Sequence, residues 1–267
     1  MPELPEVQTV VTDLKSKIIN QKIVQVQVFC PKIFNFDQTN IINQTILDIW
    51  RRGKYIILKL EKGFLVIHLR MTGRLFAIAK KPNQLEQHAK HLHVILELSD
   101  QFLLFQDQRK FGKIQFCHEI AWLDAKLGPE PLSADFTIKY LSQICTSTRQ
   151  IKALLLDQSQ IAGLGNIYVD EVLWQVGVNP QIAACDLSAE KLNLLHGAIQ
   201  SILQQAIDLQ GTTFLSYAFD GTKQGNFLAY LKVFKRAKQA CLRCGTNIIK
   251  IKVAQRGTHI CPACQKL

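Results

Sequence analysis

The sequence predicts an α+β fold in three parts: a β-sandwich led by one helix, a helical domain and a zinc-binding β-hairpin. An amphipathic segment at the N-terminus precedes a series of short apolar strands, helical spacing takes over near residue 130, and four paired cysteines lie close to the C-terminus. These changes of pattern predict domains at 1–130, 131–236 and 237–267.

The first element is a helix over residues 6–19. Pro5 suits its first turn, where the missing N–H costs nothing, and Glu6 suits the positive end of the helix dipole. We therefore expect Pro2 and Glu3 just outside the helix start. The apolar residues recur at the spacing of one helix face: Val7, Val10, Val11, Leu14 and Ile18.

Short strands follow between residues 22 and 117. They are β-branched or aromatic and are separated by Gly, Pro or polar turns, which is typical of a sandwich or barrel. A Pro/Gly-rich break, LGPEPL at 127–132, marks the domain boundary. The strand segments are KIVQVQVF, YIILKL, FLVIHLRM, LHVILEL, QFLLFQD and KIQF.

Helical spacing then appears in IKALLLD, YVDEVLWQ and AEKLNLLHGAIQSILQQAIDL. Ser188 is the expected N-cap of the last helix, and Gly211 its stop. Between the first two lies QSQIAGLGN, where Asn166 is expected to cap the next helix. A glycine-rich turn before a helix N-terminus can bind phosphate, although such a turn is more often only a turn.

The C-terminal segment CLRCGTNIIKIKVAQRGTHICPACQ has two CxxC pairs separated by sixteen residues. This spacing predicts one tetrahedral zinc ion held by Cys241, Cys244, Cys261 and Cys264. Four protein ligands leave no open position, so the zinc would be structural. His259 is then a surface histidine outside the shell, and the other cysteines are expected to be small buried hydrophobes: Cys30, Cys117, Cys145 and Cys185.

Charge favours a polyanionic partner. The net charge is +11 and the pI is about 9.3, and an excess of this size attracts nucleic acid. The hairpin between the cysteine pairs contributes Lys250, Lys252 and Arg256. It is either a nucleic-acid grip, which the net charge favours, or only a stabilising module, and a basic enzyme without such a partner would carry similar charge.

No apolar run of 18 residues and no secretory signal is present. We therefore expect a cytoplasmic chain with no membrane partner, in which the cysteines are not paired as disulfides.

Eight motifs occur in order along the chain: MPELPEV, RRGKY, HLRMTGRL, KHLHV, DQRKFG, LLLDQSQIAGLGNIYVDE, GTTFLSYAFDGTKQGNF and the four-cysteine tail. In this ordered set the chain closely resembles the bacterial formamidopyrimidine-DNA glycosylase family. The resemblance implies a helix–two-turns–helix element in the helical domain, one structural zinc, no organic cofactor and a monomer. It also implies a bifunctional glycosylase and AP lyase of base excision repair, which removes 8-oxoguanine and formamidopyrimidines from damaged duplex DNA.

The resemblance also implies the catalytic groups. Removal of Met1 would free the amine of Pro2 as the nucleophile, and an α-amino group with a pKa of roughly 8 is partly unprotonated at neutral pH. Glu3 would act as general acid and base on the sugar, with Glu6 positioning the site. The remaining cations are Lys54, near the phosphate and leaving group, and Arg256, which clamps phosphates.

The same resemblance implies the DNA contacts. A glycosylase turns the damaged base out of the stack, and Met71, Arg109 and Phe111 would fill the void. Without the resemblance, the Met and Phe would pass for core residues. The segment 212–227 matches a loop that closes over the extruded base. Phosphate contacts are expected from His91, Arg149, Lys152 and Asn166, whereas His93 is interpreted as structural.

Two segments depart from the family pattern: Gln108 replaces the expected proline in DQRKFG, and VFKRAKQAC stands where Tyr-Gly-Arg is more usual. These changes affect loop geometry rather than the catalytic groups. Three rival interpretations are endonuclease VIII, a non-catalytic DNA-binding descendant and an RNA-associated zinc protein. PELPEV and the Arg/Phe pair argue against endonuclease VIII, and the retained catalytic set argues against a descendant that only binds DNA. An RNA-associated zinc protein would leave the first six residues unexplained.

Overall fold

A computed structural model of this chain describes residues 1–81, 84–212 and 225–267. The chain packs as two compact units. The first comprises Met1–Asp124 and Gln210–Asn226, and the second comprises Ala125–Leu209 and Phe227–Leu267. The helical segment and the zinc hairpin thus share one unit, whereas the sequence divides them at 236/237. The two predicted domain boundaries, 130/131 and 236/237, stay predictions.

The first unit begins with one long helix, α1 (Leu4–Ile18), and continues with strands. Short helices α2 (Gln84–Gln87) and α3 (Ala121–Lys126) precede β6 and follow β8. The strands are β1 (Ile23–Val28), β2 (Ile46–Arg52), β3 (Tyr55–Leu60), β4 (Phe64–His68), β5 (Gly73–Ala79), β6 (Leu92–Leu98), β7 (Gln101–Asp107) and β8 (Lys113–Cys117).

The strands form two antiparallel sheets, in the orders β1-β6-β7-β5 and β2-β3-β4-β8. One cluster of buried side chains joins both sheets to α1, with Val10, Leu58 and Leu96 among its members. This confirms the predicted β-sandwich with a leading helix. Helix α1 begins at Leu4, so Pro2 and Glu3 lie just before it, as the position of Pro5 in the first turn predicts.

The second unit is helical and ends in a β-hairpin. The Ser188 hydroxyl accepts a hydrogen bond from the N–H of Lys191 at 3.2 Å, which confirms the predicted N-cap of the long helix. The prediction that Asn166 is an N-cap is wrong by one residue: Gly165 is the cap and Asn166 is the first helical residue. The elements are α4 (Ile138–Ile144), α5 (Ile151–Leu155), α6 (Asn166–Val176), α7 (Ala189–Asp208), β9 (Ile249–Val253) and β10 (Arg256–Ile260).

Strand β10 is bound to one face of α6 by polar groups. The Asn166 amide donates to the carbonyl of Gly257 at 3.0 Å. One turn later, the Asp170 carboxylate accepts from the N–H of His259 at 2.9 Å. Residues four apart share a helix face, so these two contacts fix the direction of the strand along the helix.

The next residue of α6, Glu171, points to a different side of the helix and binds the segment leading to the first cysteine pair. The Glu171 carboxylate accepts the backbone N–H groups of Lys232, Val233 and Phe234 at 2.7, 3.0 and 2.8 Å. Burial raises the pKa of Glu171, and the three N–H donors oppose that rise. The hairpin and its leading segment therefore pack on a single helix through buried acids.

Lys152 belongs to this buried network. Its side chain is 0% exposed, and its ammonium lies 2.5 Å from the Asp170 carboxylate. A buried ammonium requires a counter-charge, which Asp170 supplies. This interior position contradicts the predicted phosphate contact for Lys152. It also corrects the surface assignment of His259, which is buried with its ring nitrogen 3.4 Å from Asp170.

Among the described residues, no helix has both the length and the apolar character needed to cross a bilayer.

Asp170→Asn should lower the free energy of unfolding by about 3–5 kcal/mol, because it removes the negative charge that lies 2.5 Å from the buried ammonium of Lys152. Adding Lys152→Met should recover part of the loss, since an asparagine oxygen can still accept from His259. Urea denaturation would measure both. The control is Asp48→Asn, which removes an exposed pair with Lys15 and should cost under about 1 kcal/mol. An equally small effect at Asp170 would contradict the role of the buried pair.

Candidate active site and zinc centre

The N-terminal acids are buried at the start of α1. Glu3 and Glu6 are 2% and 3% exposed, and Pro2 is buried beside them. The N–H of Glu3 donates to the Glu6 carboxylate at 2.9 Å. This bond forms one half of a capping box and fixes the backbone directly after Pro2.

The second oxygen of Glu6 binds Thr212. It accepts from the Thr212 N–H at 2.8 Å and from the Thr212 hydroxyl at 2.9 Å. Gly211 has φ 76°, and a Cβ there would lie 2.8 Å from the Glu6 carboxylate, so this close approach requires glycine. Glu6 thus joins the N-terminus to the chain at Thr212. Residues 213–224 of the predicted closing loop lie outside the described residues.

Lys54 lies in the tight turn between β2 and β3. Arg52 pairs with Tyr55 across this turn, and Gly53 has φ 56°, a left-handed conformation that favours glycine. Lys54 is buried, at 7% exposure. The positive charge of a buried lysine acts more strongly on a nearby anion than that of a solvated one, because the surrounding dielectric is lower.

Arg51 ties this turn to α1. Its guanidinium donates to the side chain of Gln8 at 3.1 Å and to the carbonyl of Gly53 at 3.1 Å. The helix whose start carries Pro2 and Glu3 is therefore bonded to the turn that carries Lys54. The structure brings these three predicted catalytic residues into one unit.

Sequence reasoning missed His68 at the end of β4. His68 is the register partner of Tyr55, and the two rings meet edge to face with centroids 4.5 Å apart. Its Nδ1 accepts the N–H of Arg70 at 2.9 Å, so in the neutral ring Nε2 carries the proton and is a donor. A donor histidine opposite the residue after Lys54 is a further candidate for phosphate binding. Its position in HLRMTGRL, three residues before Met71, was the available signal.

Met71, Arg109 and Phe111 lie on two surface loops, β4–β5 and β7–β8. Met71 is 37% and Phe111 43% exposed, and the Arg109 guanidinium lies 4.7 Å from the centroid of the Phe111 ring. Both side chains are therefore on the surface, although their residue types alone would suggest the core. His91 is also exposed, while His93 is buried with Nε2 2.8 Å from the carbonyl of Asp107, as a structural residue would be.

In the second unit, the cations of the hairpin are exposed. Arg256 opens β10 directly after a two-residue turn, in which Ala254 and Gln255 have φ 47° and 62°. Both values are left-handed, as a type I′ hairpin turn requires. Lys250 and Lys252 are exposed on the paired strand. The hairpin thus presents a basic surface that ends in Arg256.

Two further predicted phosphate contacts already have protein partners. The Arg149 guanidinium pairs with Asp157 at 2.9 Å; burial raises the pKa of Asp157, but hydrogen bonds from Ser159 and Arg149 outweigh it and leave the pKa below its usual value. Asn166 donates to Gly257, and its side-chain oxygen is buried without a hydrogen-bond partner among the described residues. An amide nitrogen carries two donors, so this contact is compatible with a second one to phosphate.

The four cysteines of the C-terminal pairs come together as one site. Their sulfurs all lie within 4.8 Å of one another, with Cys241–Cys264 at 4.0 Å and Cys244–Cys261 at 3.4 Å. Tetrahedral zinc with Zn–S bonds of about 2.3 Å needs sulfurs about 3.8 Å apart. The site therefore fits one structural zinc, which confirms the prediction.

Trp174 supports this site from α6. Its indole N–H donates to the Cys241 sulfur at 3.4 Å. Burial raises the pKa of Cys241, but hydrogen bonds from Arg243 and Trp174 outweigh it and lower the pKa to about 6. This favours the thiolate that binds metal. Of the four remaining cysteines, Cys145 is buried as predicted. Cys30 and Cys117 are half-buried and Cys185 is exposed, so their assignment as buried residues is corrected.

Three family models match the chain in order. The formamidopyrimidine-DNA glycosylase N-terminal domain matches residues 1–114, the formamidopyrimidine-DNA glycosylase H2TH domain matches 127–217, and the zinc finger found in FPG and IleRS matches 238–267. Together with the buried N-terminal acids and the four-cysteine site, they define a DNA glycosylase with a helix–two-turns–helix domain and a zinc finger.

Relatives that match the whole chain are named after the same enzyme as the first two family models. The formamidopyrimidine-DNA glycosylases of Streptococcus mutans and Lactococcus lactis are 41% and 40% identical to this chain over 277 and 276 residues, covering all of both chains in each case. The chain therefore belongs to the formamidopyrimidine-DNA glycosylase family, whose members are enzymes of DNA repair.

Solved structures of related proteins support the same family membership. A complex between Lactococcus lactis Fpg and DNA containing an abasic site has a TM-score of 0.90 at 38% identity, covering 99% of this chain and 100% of that one. A structure of MutM with DNA containing carbocyclic 8-oxo-G has a TM-score of 0.89 at 38% identity, covering both chains fully.

Glu6→Gln should destabilise the first unit. Both carboxylate oxygens of Glu6 accept hydrogen bonds, and an amide turns an NH2 group toward either Glu3 or Thr212. We expect a loss of about 1–3 kcal/mol in the free energy of unfolding, measured in urea. The exposed Glu119→Gln is the matched control. If the two variants unfold alike, Glu6 does not hold the N-terminus.

Cys261→Ser should abolish stoichiometric zinc binding, because three thiolates and a hydroxyl cannot replace the complete site. Zinc released on denaturation, measured with a chromogenic chelator, should fall from about one per chain toward zero. The exposed Cys185→Ser should retain the metal. Full retention in Cys261→Ser would exclude this cysteine as a ligand.

Proposed function

We propose that the protein is a bifunctional DNA glycosylase and AP lyase that excises oxidised purines from duplex DNA and then cleaves the strand. One observation carries this proposal. Pro2 and Glu3 are buried directly before α1, and Arg51 bonds the turn of Lys54 to that helix. A protein that only binds DNA needs no buried acid beside an N-terminal proline.

Pro2 is the nucleophile once Met1 is removed. The secondary amine forms a bond to the sugar C1′ and releases its N–H proton, while the C1′–N9 bond breaks. The electron pair of that bond leaves with the base, which takes up a proton. Glu3 protonates the ring oxygen O4′ as the C1′–O4′ bond opens, which leaves a cationic iminium between Pro2 and C1′. If Met1 stayed in place, the Pro2 nitrogen would be an amide and could not attack.

The iminium then allows strand cleavage. It withdraws electrons from C2′, so a base can remove a C2′ proton while the C3′–O bond breaks and the 3′ phosphate leaves. Loss of a second proton, from C4′, expels the 5′ phosphate. Lys54 and Arg256 stabilise the departing phosphates, for which the guanidinium fork of Arg256 is suited. Water hydrolyses the iminium and restores the amine.

DNA recognition rests on exposed groups. Met71, Arg109 and Phe111 enter the stack in place of the extruded base, as apolar wedges do at kinked steps. His91, Asn166 and Arg149 bind phosphates, with Arg149 exchanging Asp157 for DNA, and Lys152 takes no part because it is buried. The net charge of +11 supports salt-dependent binding that is largely blind to sequence.

The substrate assignment rests on the solved relatives. Their DNA contains carbocyclic 8-oxo-G or an abasic site, which correspond to a purine lesion before excision and a site after it. The zinc ion supplies structure to the hairpin that carries Arg256, and the four-sulfur site leaves it no open position for chemistry.

Borohydride trapping tests the proposal. Purified protein is mixed with a duplex containing 8-oxoguanine opposite cytosine, the mixture is reduced, and the adduct is mapped by mass spectrometry. We expect a covalent link to Pro2 in chains lacking Met1, and strand cleavage without reductant. Pro2→Gly should trap more weakly because it replaces the secondary amine, and Glu3→Gln should lose base excision.

Pro31→Gly, in an exposed turn, is the matched proline control, and undamaged duplex is the substrate control. The proposal fails if Met1 is absent, zinc is bound and the duplex is bound, yet no adduct forms. That result would favour the non-catalytic DNA-binding interpretation.

A further inference from the structure

Asp107 lies at the end of β7, and its carboxylate is surrounded by hydrogen-bond donors from two loops. It is 0% exposed. One oxygen accepts the N–H groups of Phe111 and Gly112 at 2.8 and 2.7 Å. The other accepts the N–H of Arg109 at 3.1 Å and the hydroxyl of Thr72 at 2.5 Å. An ionised carboxylate has about four acceptor positions, and all four are used.

Thr72 extends this contact to the second loop. It directly follows Met71, and its hydroxyl donates to Asp107 while accepting the N–H of Arg109 at 3.1 Å. The β4–β5 loop and the β7–β8 loop are therefore joined through one hydroxyl and one carboxylate. Each residue of the void-filling trio is either a direct partner of Asp107 or the neighbour of one.

The backbone of Asp107 is itself fixed. Its N–H donates to the carbonyl of His91 at 2.9 Å, and its carbonyl lies 2.8 Å from Nε2 of His93. Gly112 allows the loop to approach closely, because a Cβ there would lie 2.4 Å from the Phe105 ring and 3.2 Å from the Asp107 carboxylate. The carboxylate thus has a rigid position from which to orient both loops.

We propose that Asp107 is the positioning residue that holds Met71, Arg109 and Phe111 ready to enter the DNA stack, with Thr72 connecting the two loops. This inference rests on the proposed function. The wedge side chains are exposed, so core packing does not fix their direction. Hydrogen bonds to the backbone N–H groups of Arg109 and Phe111 hold one loop, and the bond of the Thr72 hydroxyl holds the other loop next to Met71. Because these charge-assisted bonds order the two loops before DNA binds, the loops lose less conformational entropy when the wedges enter the stack.

Two variants test the Asp107 carboxylate and the Thr72 hydroxyl separately. Asp107→Asn keeps the shape but turns an NH2 group toward one pair of donors, which loosens the β7–β8 loop. Thr72→Val removes only the hydroxyl, so it disconnects the Met71 loop while the carboxylate remains. Matched controls on exposed residues are Asp100→Asn and Thr146→Val.

The test compares two substrates under single-turnover conditions. The 8-oxoguanine duplex requires extrusion and leaves a void, whereas a single strand with an abasic site requires neither. For Asp107→Asn we expect at least about a tenfold slower excision from the duplex, the effect of one buried unsatisfied donor, but no more than about a threefold slower cleavage of the single strand. Thr72→Val should show the same selectivity with a smaller loss, and the controls should match wild type.

A direct readout is the fluorescence of 2-aminopurine placed next to the lesion. Wild type should raise it on binding by unstacking the base, and Asp107→Asn should raise it less at saturating protein. Equal losses on both substrates would show general damage to the fold and overturn the inference, as would an unchanged duplex rate. If Asp107→Asn does not fold, the substrate selectivity of Thr72→Val decides. Failure of wild type to cleave the abasic strand would count against the proposed function instead.

Discussion

A carboxylate buried away from water must be surrounded by hydrogen-bond donors, and this constraint organises the functional parts of the chain. Glu6 collects donors from Glu3 and Thr212, which are 3 and 206 positions away. Asp107 collects four donors, and Glu171 collects three consecutive N–H groups. Each acid thus fixes the backbone of a segment that lies outside its own helix or strand.

Buried acids that hold the backbone suit the proposed DNA contacts. Groups that enter a DNA stack or bind a phosphate must be exposed, so apolar packing cannot orient them. Met71 and Phe111 illustrate the problem, since their exposure is what allows them to act as wedges. Hydrogen bonds between buried acids and backbone N–H groups solve it, because they constrain the main chain and leave the side chain free. Directional bonds also tolerate little displacement, which favours a single loop geometry.

Local patterns predicted much of the scaffold, because they depend on neighbours in sequence. The spacing of the apolar residues from Val7 to Ile18 predicted the buried face of α1. The position of Ser188 before a helical segment predicted the N-cap of α7, and the cysteine spacing predicted the zinc site. Strands β2 and β5 were missed because neither alternates regularly: ILDIWRR ends in two arginines, and GRLFAIA begins with Gly-Arg and then runs apolar on both faces.

The polar network was not predictable in this way. Lys152 meets Asp170 across 18 positions, and Asp170 meets His259 across 89. No periodicity links such residues, and a lysine or histidine in a basic chain is reasonably assigned to the surface. The catalytic residues were found by resemblance alone. Proline before a helix is ordinary, and the geometry distinguishes it only by burying Glu3 and by bonding the turn of Lys54 to the same helix.

The zinc finger also depends on polar contacts with α6 for its position. Zinc closes a small hairpin that has too little apolar area to be stable alone, but a closed hairpin has no fixed direction. The Asn166 and Asp170 bonds supply that direction along β10, and the Trp174 bond to Cys241 links the helix to a zinc ligand. Arg256 begins the strand that these contacts hold. Its position is therefore set jointly by a metal site at one end of the hairpin and by a helix face along it, so loss of either constraint alone would leave the guanidinium without a defined place.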